Sequence, residues 1–212
     1  MRILVIGANG KIGRILVPGL TAAGFTPRAM VRESAQARQF DSQGVETVVA
    51  NLESAIDHAF HECDAAIFTA GSGGKTGADK TMIVDLYGAL RSIEAAKKAG
   101  LKRFYMVSAL KAHDPLSGPD RIRHYLVAKH VADDYLIRSG LAYFILRPGH
   151  LTDEPAGGGV ELVEACPERS GEIPRADVAN VLIEAMKQGL SGKILELVSG
   201  DTPLQDAVAC RL

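Results

Sequence analysis

No excess of either charge marks the 212-residue sequence: 24 lysines and arginines stand against 25 aspartates and glutamates, for a formal net charge of -1. Nucleic-acid binding normally shows as a basic face or stripe, so this balance argues against such a partner. No apolar run approaches the ~18 residues of a membrane span, which argues against a membrane partner. The N-terminal apolar stretch Ile3-Leu4-Val5-Ile6 stops at Gly7. That falls short of the roughly 7–15 residues of a secretory h-region, so no signal peptide is expected. The three cysteines, Cys63, Cys166 and Cys210, are odd in number and widely spaced, which speaks against a disulfide framework. A cytoplasmic location follows as the expectation. There is neither an internal repeat nor a low-complexity tract. What remains is an ordinary globular composition, 47% hydrophobic and 23% charged, over a length suited to one domain.

The chain alternates between β-rich runs and helical patterns. Strands are expected at 2–6, 27–31, 46–50, 64–69, 103–108, 143–147 and 193–198, and helices at 11–23, 34–42, 53–61, 80–99, 120–138 and 176–188. A last helix is expected from Thr202 as N-cap, with Pro203 at its first position. Such alternation implies right-handed βαβ units, hence a doubly wound α/β domain with a parallel sheet of about seven strands. In 80–99, Ile83, Leu86, Tyr87, Leu90 and Ile93 fall near the 3.6-residue period and predict one buried stripe. In 11–23 the stripe is Ile12, Ile15, Leu16 and Leu20, and Pro18 predicts a break or bend.

The clearest chemical signal follows the first strand. Gly7-Ala8-Asn9-Gly10-Lys11-Ile12-Gly13 is a G-x-x-G-x-x-G turn opening a helix. Gly7 suits the tight turn, Gly10 the close approach of a pyrophosphate, and Gly13 close helix–strand packing. The helix N-terminus adds free N–H groups and the positive end of its dipole. Asn9, Lys11 and Ile12 complete this cofactor-binding turn. At the end of the second strand, where an NAD site usually has an acid for the ribose 2′-hydroxyl, stands Arg32. A guanidinium fits a 2′-phosphate, so NADP is favoured over NAD, with Lys11 and Arg14 adding charge nearby. Glu33, one residue on, reverses that conclusion if the strand ends later. Asn51-Leu52, after the third strand, falls where an adenine contact would lie, or is an ordinary strand-end turn.

A second constellation lies in the middle of the chain. Ser108 ends the fifth strand, at the sheet edge where open α/β folds bind ligands. Tyr125 and Lys129 are four residues apart on one helical face. A cation beside a phenol lowers its pKa from ~10, and such a tyrosine can exchange a proton with a substrate oxygen. Taken alone, the same spacing also fits a solvated helix face.

With these motifs stand Val31-Arg32, Phe68-Thr69-Ala70-Gly71, Asp85-Leu86-Tyr87-Gly88 leading into Ile93-Glu94-Ala95-Ala96, Ala132-Asp133, Arg147-Pro148-Gly149 and Arg175-Ala176-Asp177-Val178-Ala179. Over essentially its whole length the sequence resembles an atypical short-chain dehydrogenase/reductase of the short bacterial type, often labelled NAD(P)-binding or epimerase/dehydratase. The resemblance implies a single NAD(P)-binding Rossmann domain over 1–212 and a Ser–Tyr–Lys site. In it Ser108 orients the substrate oxygen and Tyr125 is the general acid/base. Lys129 lowers the tyrosine pKa and binds the nicotinamide ribose. It further implies that Thr69, Ala70 and Gly71 pass under the adenosine half, and that Pro148 and Gly149 line the nicotinamide side. Asp85 takes the place of the asparagine that completes a proton relay in longer relatives, a departure that touches the relay and not the cofactor site. Helices 80–99 and 120–138 pair subunits in many members of that superfamily, so a homodimer is the association it suggests.

Longer epimerases and dehydratases follow the sixth strand with a sugar-nucleotide domain. Here the segment 150–175, with His150, Asp153-Glu154-Pro155 and Gly157-Gly158-Gly159, is of lid size, so a small-molecule substrate is expected. The leading reading is an NADP-dependent oxidoreductase acting on a small carbonyl or alcohol. The alternatives are an epimerase/dehydratase that recycles its cofactor, and a non-catalytic NADP sensor. His58, His61 and Cys63 lack a fourth ligand, so no metal is expected, and Cys63 reads as a core residue. His150 is a surface-loop residue or a substrate contact, and Asp133-Asp134 read as a solvated helix face.

Overall fold

Residues 1–74, 76–164 and 170–211 are described in the computed structural model; Cys166 and part of the 150–175 segment lie outside them. The chain runs β1 (Arg2–Ile6), α1 (Gly13–Ala22), β2 (Thr26–Val31), α2 (Ser34–Asp41), β3 (Glu46–Val49), β4 (Ala65–Phe68) and α3 (Ala78–Lys80). A π-helical turn, Thr81–Tyr87, joins α3 to α4 (Gly88–Lys98), followed by β5 (Arg103–Val107), α5 (Arg123–Ile137), β6 (Ala142–Pro148), β7 (His150–Thr152) and β8 (Gly159–Val163). The last elements are β9 (Glu172–Pro174), α6 (Arg175–Lys187), β10 (Lys193–Ser199), β11 (Thr202–Pro203) and α7 (Leu204–Ala209).

Among the described residues the main sheet has nine strands, in the order β11-β8-β10-β6-β5-β4-β1-β2-β3. The seven expected strands form its parallel body. Antiparallel β8 and β11 extend one edge, and β7 pairs with β9 in a small second sheet. These additions come from the segment after β6 and were too short to register as alternating patterns. Side chains alternate across β1: Ile3 and Val5 face the cluster under α1 and α6, while Leu4 and Ile6 face the one under α4 and α5. Cover on both faces makes the central parallel strands continuously apolar. The strand order reverses between β1 and β4, the switch point where open α/β sheets carry their ligand crevice beyond the carboxyl ends of the strands.

Five local expectations are corrected. Helix α1 runs unbroken through Pro18. Pro18 and Arg14 lie on the exposed face, where water can meet the freed carbonyl, while Leu16, Val17 and Leu20 hold the other face down. Ile15, expected in the stripe, is exposed, and Val17 takes its place. The 53–61 helix is only a 3-10 turn at Asp57–Phe60. Thr202–Pro203 pair with β8, and the last helix begins at Leu204. In the 80–99 helix, Ile83 and Tyr87 point outward and the buried residues are Thr81, Asp85, Gly88, Ala89, Ser92, Ile93, Ala95 and Ala96. The π turn is the reason. Its wider winding shifts the helical phase ahead of Gly88, so one 3.6-residue stripe does not describe both halves.

Candidate functional site

The crevice begins at the glycine turn. Gly7 sits at φ +88°, and a Cβ on Gly13 would lie 2.4 Å from the Gly7 carbonyl oxygen and 2.5 Å from that of Ala8. Only glycine at 13 lets α1 start this close to β1. Gly10 N–H donates to Gly7 O at 2.9 Å, and no hydrogen bond among the described residues uses the N–H groups of Lys11, Ile12 or Gly13. Three donors at a helix start are thus left unused among the described residues, the arrangement that receives an anion. Thr69 Oγ1 donates to Ile6 O at 3.1 Å, so the chain after β4 runs beside the turn.

Other residues of the turn are tied down. Asn9 Oδ1 accepts from Arg14 Nη2 at 2.8 Å and from Gln39 Nε2. Lys11 does not turn towards Arg32: its ammonium pairs with Asp153, whose other oxygen accepts from Arg175 Nη1 at 2.6 Å. This ion triad bridges the turn to the segment after β7, and the two cations hold the Asp153 carboxyl below its usual range. Strand β2 ends at Val31, so Arg32 is the first residue beyond it, exposed, and Glu33 is the N-cap of α2. At the third strand's end, Asn51 Oδ1 accepts from Glu53 N at 3.0 Å, and Leu52 turns into the core. Any adenine contact there falls to Asn51 and the backbone.

At the other end of the crevice, β5 delivers Ser108, the π turn delivers Asp85, and α5 delivers Tyr125, Lys129 and Asp133 at four-residue spacing. Ser108 Oγ donates to Asp133 Oδ2 at 2.9 Å, and Arg147 Nε donates to the same oxygen at 2.9 Å. Lys129 is buried; its Nζ donates to Val107 O at 2.6 Å and lies 5.7 Å from the Phe68 ring centroid. Asp85 Oδ2 accepts from Ser72 N at 3.1 Å, and its Oδ1 would lie 3.1 Å from a Cβ on Gly71. Asp85 therefore braces the 69–72 turn that separates this cluster from the glycine turn.

The charge pattern corrects an expectation. Tyr125 is not drawn down by Lys129; burial and the carboxylates of Asp85 and Asp133 push its phenol above the usual range. Burial lowers the Lys129 pKa, with the same two carboxylates opposing the fall. Burial raises the Asp133 carboxyl despite Arg147, Ser108 and Lys129. At neutral pH the phenol thus holds its proton.

Asp133 and Arg147 were not legible as site residues: Asp133, expected on a solvated face, is 1% exposed. The available signals were its spacing from Lys129 and an arginine within the apolar β6 run. Asp177, also buried, accepts from Gly157 N at 2.8 Å and Gly158 N at 3.2 Å and so holds the glycine-rich segment. Pro148 is buried at the end of β6, and a Cβ on Gly149 would lie 2.4 Å from Gly171 O, so the backbone crossing itself requires that glycine. His150 lies exposed on β7, whereas His113 pairs through Nδ1 with Glu196 Oε1 at 2.9 Å.

Residues 7–189 match the family described as NAD(P)H-binding. A Bacillus subtilis (strain 168) protein named an uncharacterized sugar epimerase, YhfK, is 46% identical over 98% of this chain and 99% of its own. A solved Bacillus halodurans structure, provisionally assigned as an NAD-dependent epimerase/dehydratase, is 47% identical with a TM-score of 0.96, covering 99% of each chain. The structure of the Lactococcus lactis oxidoreductase ylbE is 32% identical with a TM-score of 0.88, covering 99% of this chain and 96% of that one.

Proposed function

The chain belongs to the NAD(P)H-binding family, and from that premise we propose that it is an NADP-dependent oxidoreductase reducing a small carbonyl compound, with Tyr125 as proton donor. The observation that carries this reading is a half-buried Tyr125 phenol, held protonated by desolvation and by Asp85 and Asp133, on the helix that also carries Lys129 and at the sheet edge that carries the glycine turn. The turn fits a dinucleotide: its glycines leave a cradle that a Cβ would fill, and its three N–H groups suit a diphosphate. Bound there, a reduced nicotinamide supplies hydride. Arg32 is free to read a 2′-phosphate, and Thr69, Ala70 and Gly71 floor the adenosine half. Lys129, anchored on Val107 O, orients the ribose. Tyr125 holds its proton and passes it to the substrate oxygen as the carbonyl becomes an alcohol, and Asp85 sets the field around that phenol.

Fluorescence titration with NADPH and NADH tests the cofactor half: wild type prefers NADPH, and Arg32→Ala loses the preference. Failure to bind either nucleotide refutes the whole reading. Tyr125→Phe tests the chemistry. It lowers kcat by about 10²–10⁴-fold, the usual worth of a positioned acid, while NADPH affinity holds. Unchanged turnover refutes Tyr125 as donor. The name of the Bacillus subtilis relative favours a second reading, epimerase or dehydratase chemistry with recycled cofactor; purification with a tightly held, non-exchanging nucleotide would select it.

A further inference from the structure

The two-stranded sheet sets Thr152 of β7 opposite Pro174 of β9, so Asp153 and Arg175 leave it side by side. Arg175 opens α6, and α6 packs against α1, where a Cβ on Gly19 would lie 2.6 Å from Ile183 Cδ1. The Asp153 carboxylate links the start of α6 to the glycine turn: Oδ1 accepts from Arg175 Nη1 at 2.6 Å and Oδ2 from the Lys11 ammonium. One small anionic group therefore spans both cations, in a turn with three N–H groups that no hydrogen bond among the described residues uses. The triad is reachable from solvent, the Lys11 side chain being 66% exposed, that of Asp153 60% and that of Arg175 21%. Ion pairs this exposed are weak and screened by salt, so another anion can displace the carboxylate. Beyond Asp153 the chain is pinned again where Gly157 and Gly158 donate to Asp177, which confines any movement to 153–156.

Resting on the dinucleotide half of the reading above, we propose that Lys11 and Arg175 clamp the cofactor's diphosphate, and that Asp153 holds their place until the nucleotide displaces it. A diphosphate carries more charge and more acceptor oxygens than a carboxylate, so it wins both cations while the N–H groups of the turn take further oxygens. Arg175, far along the chain from the glycine motif, is then a cofactor-binding residue. Its planar fork suits a phosphate through paired bonds, whereas Lys11 contributes a point charge. Before the nucleotide arrives, the carboxylate keeps the two cations aimed and neutralised, so part of the binding energy goes into breaking the triad. Displacement of Asp153 frees 153–156 beside the filled site.

The test is a two-by-two set of variants read by NADPH fluorescence titration at about 50 mM salt. Arg175→Gln weakens NADPH by about threefold in the wild-type background, because the arginine gives up Asp153 to gain the diphosphate. With Asp153→Asn the penalty rises to about tenfold, since there the arginine has no alternative carboxylate. Inorganic pyrophosphate competes with NADPH, about two- to fivefold more strongly against Asp153→Asn than against wild type. Arg175→Lys keeps the charge and most of the affinity, and melting temperatures follow the fold of each variant. An Arg175→Gln penalty equal in both backgrounds overturns the inference, as does pyrophosphate that competes equally with both proteins. A penalty that shrinks with Asp153→Asn overturns it too, and means that the carboxylate holds the arginine onto the bound nucleotide. Wild type that binds neither NADPH nor NADH overturns the dinucleotide reading and this inference with it; turnover surviving Tyr125→Phe refutes the reductase chemistry alone.

Discussion

Asp133→Ala puts a number on the buried network. Asp133 is 1% exposed and Arg147 6%, with Nε 2.9 Å from Oδ2. Removing the carboxylate leaves a guanidinium buried without its anion, a change that costs about 3–5 kcal/mol. The lost Ser108 bond adds about 1 kcal/mol. Against a total stability of about 5–15 kcal/mol, that is a large fraction. For a chain of this length each kcal/mol lowers Tm by about 2–4 °C, so a fall of roughly 8–24 °C is expected. Urea unfolding followed by circular dichroism gives the free energy, with an unchanged m-value showing that the transition itself is comparable. The double variant Asp133→Leu/Arg147→Met removes both charges and recovers most of the loss, giving a coupling of about 2 kcal/mol or more. A single-variant loss below about 1 kcal/mol, or additive single effects, would refute the account of a shielded ion pair.

Three further outcomes are expected. Gly13→Ala places a Cβ 2.4 Å from a backbone carbonyl that cannot move away, so the protein loses about 2–4 kcal/mol in chemical denaturation together with nucleotide binding; a variant that binds NADPH normally contradicts the turn geometry. Because the Tyr125 phenol is raised above its ordinary value of ~10, the donor form persists and kcat/KM for a carbonyl probe stays level through pH 10. Asp85→Asn removes one of the raising carboxylates, so the alkaline limb moves to lower pH; a limb that stays put or moves up shows that Asp85 does not act on the phenol. Asp153→Asn releases Lys11 and Arg175 towards an incoming anion, so NADPH binds about two- to fivefold more tightly at low salt, and the gain fades by about 0.3 M salt. Weaker binding in fluorescence titration would mean that the triad holds the nucleotide in place.

The parts of the fold legible in the sequence are those where one residue has one physical meaning. Gly7 and Gly13 have no substitutes at a φ of +88° and at a 2.4 Å approach, and the run Ile3–Ile6 has no reason to be wholly apolar except burial on both faces. Where a residue type serves several environments, the reading failed. Ile56, Ala59 and Phe60 keep helical spacing, yet they pack from a 3-10 turn, since the Asn51 side chain bends the chain at Glu53. Asp133 looks like any surface acid until Arg147 arrives from β6, fourteen positions away and on another element. The Tyr125–Lys129 spacing was visible, but the field around the phenol was not, because Asp85 reaches it from a different helix and the lysine is spent on Val107. Spacing identifies partners on one helix; the sign of a pKa shift depends on every element that packs against it.

The π turn has a consequence for how this chain tolerates change in length. A π-helical turn is an α-helix carrying one residue more than its hydrogen bonds need. Removing one residue from Met82–Val84 would let Thr81–Tyr87 relax into ordinary α-helix without breaking α4. The segment before Gly88 would then rotate by about 100° relative to the sheet. Ile83 and Tyr87, which face outward, lie within the π turn, and Asp85 is the buried acid that it aims at the 69–72 turn. The extra residue thus accompanies the placement of the Asp85 carboxylate against the 69–72 segment, where it raises the Tyr125 phenol.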